Sequence, residues 1–121
     1  MKKVNILEKL NQINDHWNPR IVGELNGQQI RLVKILGDFA YHKHENEDEM
    51  FLVIKGNLKL DFKDKIVDIS EGEFFIVTKG VLHRPIADQE VHLMMFVTNN
   101  NINTGNIKNE VTLDTNLLER I

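Results

Sequence analysis

The chain contains no cysteine, which excludes disulfides, thiolate metal sites and thiol nucleophiles. That absence fits a reducing compartment, and a cytoplasmic location is expected. No strong charge of one sign is present: 15 Lys and Arg stand against 18 Asp and Glu, a net charge of −3. The lysines are scattered among acids, so nothing draws the chain toward nucleic acid or an anionic membrane. Long apolar runs are missing too. Met50 to Ile54 and Leu93 to Val97 are five residues each, far short of a bilayer span. The Met-Lys-Lys start is followed by Asn5, Glu8 and Lys9, which interrupt any apolar signal segment. Repeats, low-complexity blocks and a helix-turn-helix pattern are likewise lacking.

What is present suits a single soluble domain. The chain has 121 residues, 41% of them hydrophobic and 27% charged, enough for one core. Val4, Leu7 and Leu10 recur at helical spacing, and Asn5 with Glu8 forms a capping box, so a helix is expected over 4–13. Trp17-Asn18-Pro19 ends it.

Strand patterns follow. Arg20 to Leu25 and Gln28 to Leu36 flank Asn26-Gly27, a hairpin signal. Phe39 to His44 reads as a short strand. Met50 to Lys55 and Leu58 to Phe62 flank Gly56-Asn57. Leu58, Leu60 and Phe62 alternate with Lys59, Asp61 and Lys63, giving one buried and one wet face. Ile66 to Ile69, Phe74 to Val77 and Val91 to Thr98 complete the set. Many short antiparallel strands imply a sandwich or barrel over 20–98, preceded by a helical lead-in over 1–19. The Asn-rich stretch from Asn99 to Asn103 is expected to leave the barrel. A C-terminal extension over 99–121 would pack on the barrel or a partner, with weak strand character at Val111 to Leu113 and weak helix at Leu117 to Ile121.

The chemistry concentrates in four residues: His42, His44, Glu49 and His83. Side chains at i and i+2 of a strand share a face, so His42 and His44 project side by side. Glu49 opens the next strand on the face of Phe51 and Val53, where a carboxylate is costly without a cation or hydrogen bonds. Asp48 falls on the opposite face and Glu47 in the turn. Gly80 permits a left-handed turn that swings His83 back over the others, and Pro85 keeps the following chain extended. Three imidazoles and one carboxylate suit one divalent transition metal ion: iron, manganese, nickel, copper or zinc. The plainer reading of His-x-His is a surface pair in a charged loop.

These motifs resemble the cupin superfamily. Its first motif is Gly, five residues, His-x-His, three or four residues, Glu, six residues, Gly. Here it is Gly37, His42-Lys43-His44, Glu49 and Gly56, with a first gap of four. Its second motif is Gly, five residues, Pro-x-Gly, two residues, His, three residues, Asn. Here it is Gly72, Thr78-Lys79-Gly80 and His83, with Thr78 in place of the proline and Ala87 in place of the asparagine. Neither departure removes a metal ligand. His-Trp-Asn-Pro around Trp17, Asn-Gly at Asn26 and Asn-Thr-Gly at Asn103 also look like those of small single-domain bacterial or archaeal cupins. The resemblance implies an all-β fold, a cupin-type double-stranded β-helix (jelly-roll barrel), with a short N-terminal helix. It also implies a central metal held by His42, His44, Glu49 and His83, and often a homodimer.

The function expected is metal-dependent catalysis on a small molecule, of dioxygenase or isomerase/epimerase type. The alternative is a non-catalytic small-ligand-binding module. His92, in Val91-His92-Leu93, is the candidate catalytic residue for proton transfer. Arg84 is a candidate anion contact, although solvent exposure is its simpler role. Trp17 is expected to pack on the barrel or a partner, His16 and Tyr41 to face outward, and Met50, Met94 and Met95 to fill the core.

Overall fold

The computed structural model describes residues 1–121. After helix α1 (Ile6–Leu10) come seven strands: β1 (Arg20–Leu25), β2 (Gln28–Asp38), β3 (Glu49–Lys55), β4 (Asn57–Asp61), β5 (Ile66–Ser70), β6 (Phe74–Val77) and β7 (Arg84–Thr98). A single 3-10 turn, Thr115–Leu117, follows near the C-terminus. No helix is long and apolar enough to cross a membrane.

Helix α1 is shorter than the expected 4–13. Asn5 caps it, its side chain accepting from the Glu8 N–H at 3.0 Å. The buried stripe is Ile6, Leu10 and Ile13, while Val4 and Leu7 are exposed. Spacing of three was read correctly as helical, but the neighbouring row of the helix faces the sheet.

All strand pairings are antiparallel, in the order β1-β2-β7-β3-β6, with β4 joined to β5 and β7. The β1–β2 hairpin turns at Asn26 and Gly27, both with positive φ (52° and 75°), the combination a two-residue primed turn demands. Strand β7 is almost twice the expected length, running from Arg84 instead of Val91. Its first part pairs with the end of β2 and with β4, its second with β2 and β3. One strand thus belongs to both walls, and the sheet folds over on itself. The exposed stretch Asp88 to Glu90 marks the crossing.

The inward row of each strand fills the core. Val33, Ile35, Phe51, Val53, Leu58, Leu60, Ile69, Val77, Val91 and Leu93 form one cluster inside the fold. The outward row of β2 meets α1 instead, where Leu32 packs with Leu10 and Ile13. Burial of each such side chain contributes about 1.5–3 kcal/mol.

Phe39 to His44 does not form a strand. Only an isolated bridge between His42 and His83 occurs there. The Asn-rich stretch also departs from expectation. It turns back over the barrel, and Asn101 and Thr104 are fully buried. Asn106 exchanges two hydrogen bonds with Lys43 at 2.9 and 3.0 Å, pinning this return to the segment carrying the histidine pair. Gly105 makes the approach possible. A Cβ there would overlap the Lys43 carbonyl oxygen, and its φ is +56°. The weak C-terminal strand and helix are absent. The tail instead bridges Arg120 to Ile21.

Candidate metal centre

Two backbone links bring the histidines together. His42 and His83 exchange N–H···O bonds at 2.9 Å in both directions, and the Gly80 N–H donates to the His44 carbonyl at 2.7 Å. Gly80 sits at φ +79°, the left-handed turn expected of it. Glu49 begins β3 on the inward row with Phe51 and Val53. The outcome is one cluster: a ligand atom from each of His42, His44, Glu49 and His83 lies within 4.8 Å of the others. None of the four is more than 5% exposed.

Tautomers are set by the backbone. Nδ1 of His42 donates to the Ala40 carbonyl at 2.8 Å, and Nδ1 of His83 to the Val81 carbonyl at 2.9 Å. A carbonyl only accepts, so each Nδ1 carries the proton and each Nε2 turns a lone pair inward. His44 Nδ1 lies 3.4 Å from the Asn101 side-chain amide and 3.6 Å from Glu47. A half-turn of that amide offers its oxygen to Nδ1–H, the tautomer a metal at Nε2 requires. Asp48, the other competitor, accepts from the Lys79 N–H and faces away.

The buried nitrogens are short of partners. His44 Nε2 stands 3.2 Å and His83 Nε2 3.4 Å from the Glu49 oxygens, yet neither makes a hydrogen bond. Orphaned buried polar atoms are costly, and converging ones fit a cation that accepts all their lone pairs. The group is therefore chemically suited to one divalent transition metal ion.

Electrostatics agree. Burial holds His42 neutral, pushed down to about 4. For His44, burial lowers the pKa, but the Glu49 and Glu47 carboxylates outweigh it and raise the net value. Burial pushes the Glu49 carboxyl up, while His44 and His83 more than reverse this and hold it far below the usual carboxylate range.

A cavity opens beside the cluster. It is bounded by His42 and Glu49, by apolar walls that include Val33, Phe51, Leu93 and Met95, and by Trp17 and Phe39. It is small: the space it leaves for the centres of water-sized spheres is about 60 Å³. Trp17 stacks on Phe39 with centroids 4.7 Å apart, and its Nε1–H donates to the Leu36 carbonyl at 2.9 Å. The expected packing of Trp17 on the barrel is thus part of the cavity wall.

His92 is not brought to this site. Odd-numbered residues of β7 from Val91 to Val97 face the core, so His92 shares the outer row with Met94 and Phe96. Its Nε2 lies 2.9 Å from Glu90, and the other Glu90 oxygen holds the half-exposed His16 at 2.7 Å. The strand assignment was right, but its buried row was the other one. Arg84 is likewise committed outside the cavity, donating from Nε to Asp61 at 3.0 Å and lying over the Tyr41 ring. The Tyr41 hydroxyl bonds the same carboxylate.

Two cavity residues escaped the sequence reading. Asn101 lies in a stretch whose return no periodicity announces. Arg31 did leave a signal. Gln29 and Arg31 occupy the same inward row as Val33 and Ile35, polar residues where the alternation demands apolar ones. Burial depresses the Arg31 guanidinium, and the nearby Glu49 charge offsets part of that effect.

Comparison with known proteins follows the same lines. A family model described as a cupin domain matches residues 32–99. The crystal structure of a cupin-2 domain containing protein from Shewanella frigidimarina is 38% identical, covers 77% of this chain and 91% of its own, and superposes with a TM-score of 0.76. That of a protein from Neisseria meningitidis is 33% identical over 80% of this chain and 99% of its own, with a TM-score of 0.74. The uncharacterized protein YdbB of Bacillus subtilis is 31% identical over 84 residues, 69% of this chain and 74% of its own.

Proposed function

This chain belongs to the cupin domain family and has the double-stranded β-helix fold, and from that premise we propose that it is a metal-dependent enzyme of dioxygenase type acting on a small organic molecule. The observation that carries the proposal is the pair of buried, unpartnered nitrogens, His44 Nε2 and His83 Nε2, converging with His42 on the Glu49 carboxylate. His42, His44, Glu49 and His83 would hold one divalent iron, manganese, nickel, copper or zinc ion. Such an ion, when bound by four protein groups, supplies open coordination positions, Lewis acidity and, where it is redox-active, one-electron chemistry.

The chain's own residues do the rest. The Ala40 and Val81 carbonyls fix the two Nδ1 protons and so aim the Nε2 atoms. Val33, Phe51, Leu93 and Met95 exclude water from the cavity side of the cluster and offer an apolar surface to a substrate. Apart from His42 and Glu49, the only ionisable side chain in the cavity wall is Arg31. An isomerase or epimerase needs an acid and a base to move protons, and with His92 on the outer row none stands free. This favours oxygen chemistry over isomerisation. The same lack of an acid–base pair is the one feature that favours the second reading, a metal-dependent binding module without turnover.

The test is oxygen uptake by iron- or manganese-loaded protein across a panel of small phenols, enols and carboxylates. Consumption of oxygen coupled to substrate loss, abolished by His83→Ala, supports the enzyme. Metal and ligand binding with no uptake on any panel member moves the reading to the binding module.

A homodimer is proposed through the outer face of β3, β6 and β7. Two apolar rows cross it in register, Phe96–Met50–Ile76 and Met94–Leu52–Phe74, and Phe74 and Ile76 are exposed. Helix α1 covers the β2 side as far as Met94 and leaves Phe74 and Ile76 bare. Light scattering should give twice the chain mass, reduced to one chain mass by Ile76→Glu; a monomer in the unaltered protein refutes it.

A further inference from the structure

Arg31 is a charge for which the metal site has no use. It is 3% exposed, on the inward row of β2. No carboxylate forms an ion pair with it. Its partners are neutral oxygens. Nε donates to Gln29 Oε1 at 3.0 Å and Nη1 to the Asn101 carbonyl at 2.9 Å. Nη2 reaches the Thr98 and Asn99 carbonyls only at 3.5 and 3.4 Å. A guanidinium has five N–H groups, so one on Nη1 is unused and the two on Nη2 are weakly held. A buried cation solvated by carbonyl dipoles alone lacks the counter-charge that buried charges ordinarily find.

Its surroundings narrow what could supply that counter-charge. Arg31 shares a cavity with Glu49 and His42, and apart from the neutral Asn101 and Asn103 the remaining walls are apolar or aromatic. With a divalent ion in place, one carboxylate faces two units of metal charge and one of guanidinium. The cavity then carries a surplus of positive charge in a poorly hydrated space, where an anion is strongly favoured. Guanidinium forks match carboxylates in shape as well as charge.

We infer that the cavity takes a small carboxylate with an apolar or aromatic body, its carboxylate held by Arg31 and its body lying between Trp17, Phe39 and the Val33–Leu93–Met95 wall. The inference deepens the metal-site reading, on which it rests for the surplus charge. Arg31 is then a specificity-determining residue and not merely a clamp on the Thr98–Asn101 return.

Trp17 provides the readout. It is the chain's single tryptophan and lines the cavity, so its fluorescence reports occupancy. Zinc-loaded and zinc-free protein are titrated with benzoate and with benzamide, which has the same shape without the charge. Zinc stoichiometry is measured on each sample. Zinc-loaded protein is expected to bind benzoate at least tenfold more tightly than benzamide. Arg31→Gln brings that ratio close to one while zinc stays at one per chain, and Arg31→Lys retains part of the preference. A purely structural Arg31 would weaken both ligands equally and leave the ratio untouched. Equal binding of the two probes, binding of neither, or an undiminished ratio in Arg31→Gln overturns the inference; the unaltered protein's ratio decides the matter should that variant not fold. Failure to bind zinc, with benzoate preference intact, counts against the metal reading alone.

Discussion

Replacing Glu49 by Gln separates a metal site from a buried ion pair. Glu49 is 3% exposed and lies 3.2 and 3.4 Å from His44 and His83. If these groups exist to bind one another, the amide leaves a broken buried pair and lowers stability with or without metal. If they exist to bind a cation, the metal-free variant loses little. Without the carboxylate the imidazoles are simply neutral, and the one charge left inside is the Arg31 guanidinium, which neutral oxygens already solvate. Removing one charged partner from the metal complex costs about 3 kcal/mol, roughly 150-fold in affinity. At a metal concentration near 1,000 times the parent Kd, linkage stabilises the parent by about 4.1 kcal/mol and the variant by about 1.2 kcal/mol. A chain of 121 residues shifts by roughly 4 °C per kcal/mol. The parent should therefore melt ~16 °C higher with zinc than with chelator, and Glu49→Gln only ~5 °C higher. Circular dichroism melts in zinc and in EDTA measure both. In EDTA the two proteins should agree within about 4 °C, or 1 kcal/mol. Equal zinc shifts, or a variant collapsing in EDTA, refute the reasoning.

Two further outcomes follow from the same geometry. Gly105→Ala places a methyl group against the Lys43 carbonyl and 3.0 Å from His42 Cδ2, at φ +56°. Thermal denaturation should show a loss of about 2 kcal/mol, and zinc titration a roughly tenfold weaker site; an unchanged melt would mean that the return does not press on His42. The pH dependence has a definite sign. Metal needs His44 neutral, and its raised pKa lets protons compete from above pH 6.5 downward, whereas His42 at about 4 stays neutral. The zinc-induced rise in melting temperature should be largest above the His44 pKa and shrink as pH falls through it, with zinc binding releasing protons; a rise that grows on acidification contradicts this assignment.

The convergence of His42, His44, Glu49 and His83 was legible because their signals are local. His-x-His, a carboxylate opening an apolar strand and a glycine turn ahead of a histidine each restrict backbone and face within a few residues. The barrel followed from alternation and turns for the same reason. His42 and His44 reached the site even though Phe39 to His44 is irregular, since the His83 bridge and the Gly80 contact fix them from across the fold. What failed depended on distant partners. His92 was the candidate for proton transfer, but the row it shares with Met94 and Phe96 is the outer one, matched by equally apolar residues on β3. The Asn99–Asn103 polarity suggested a departing tail, yet its polar groups are satisfied by Arg31 and by the neighbourhood of His44. Buried hydrogen bonding of this kind leaves no periodic trace.

The most direct measurement is metal content per chain after reconstitution with zinc or manganese and removal of excess ion, for the parent and for His83→Ala. About one ion per parent chain, falling below roughly a tenth in the variant, is the result expected of a site with Kd far below the protein concentration. A parent that retains no ion, or a variant that retains as much as the parent, would mean that these side chains converge without holding a metal.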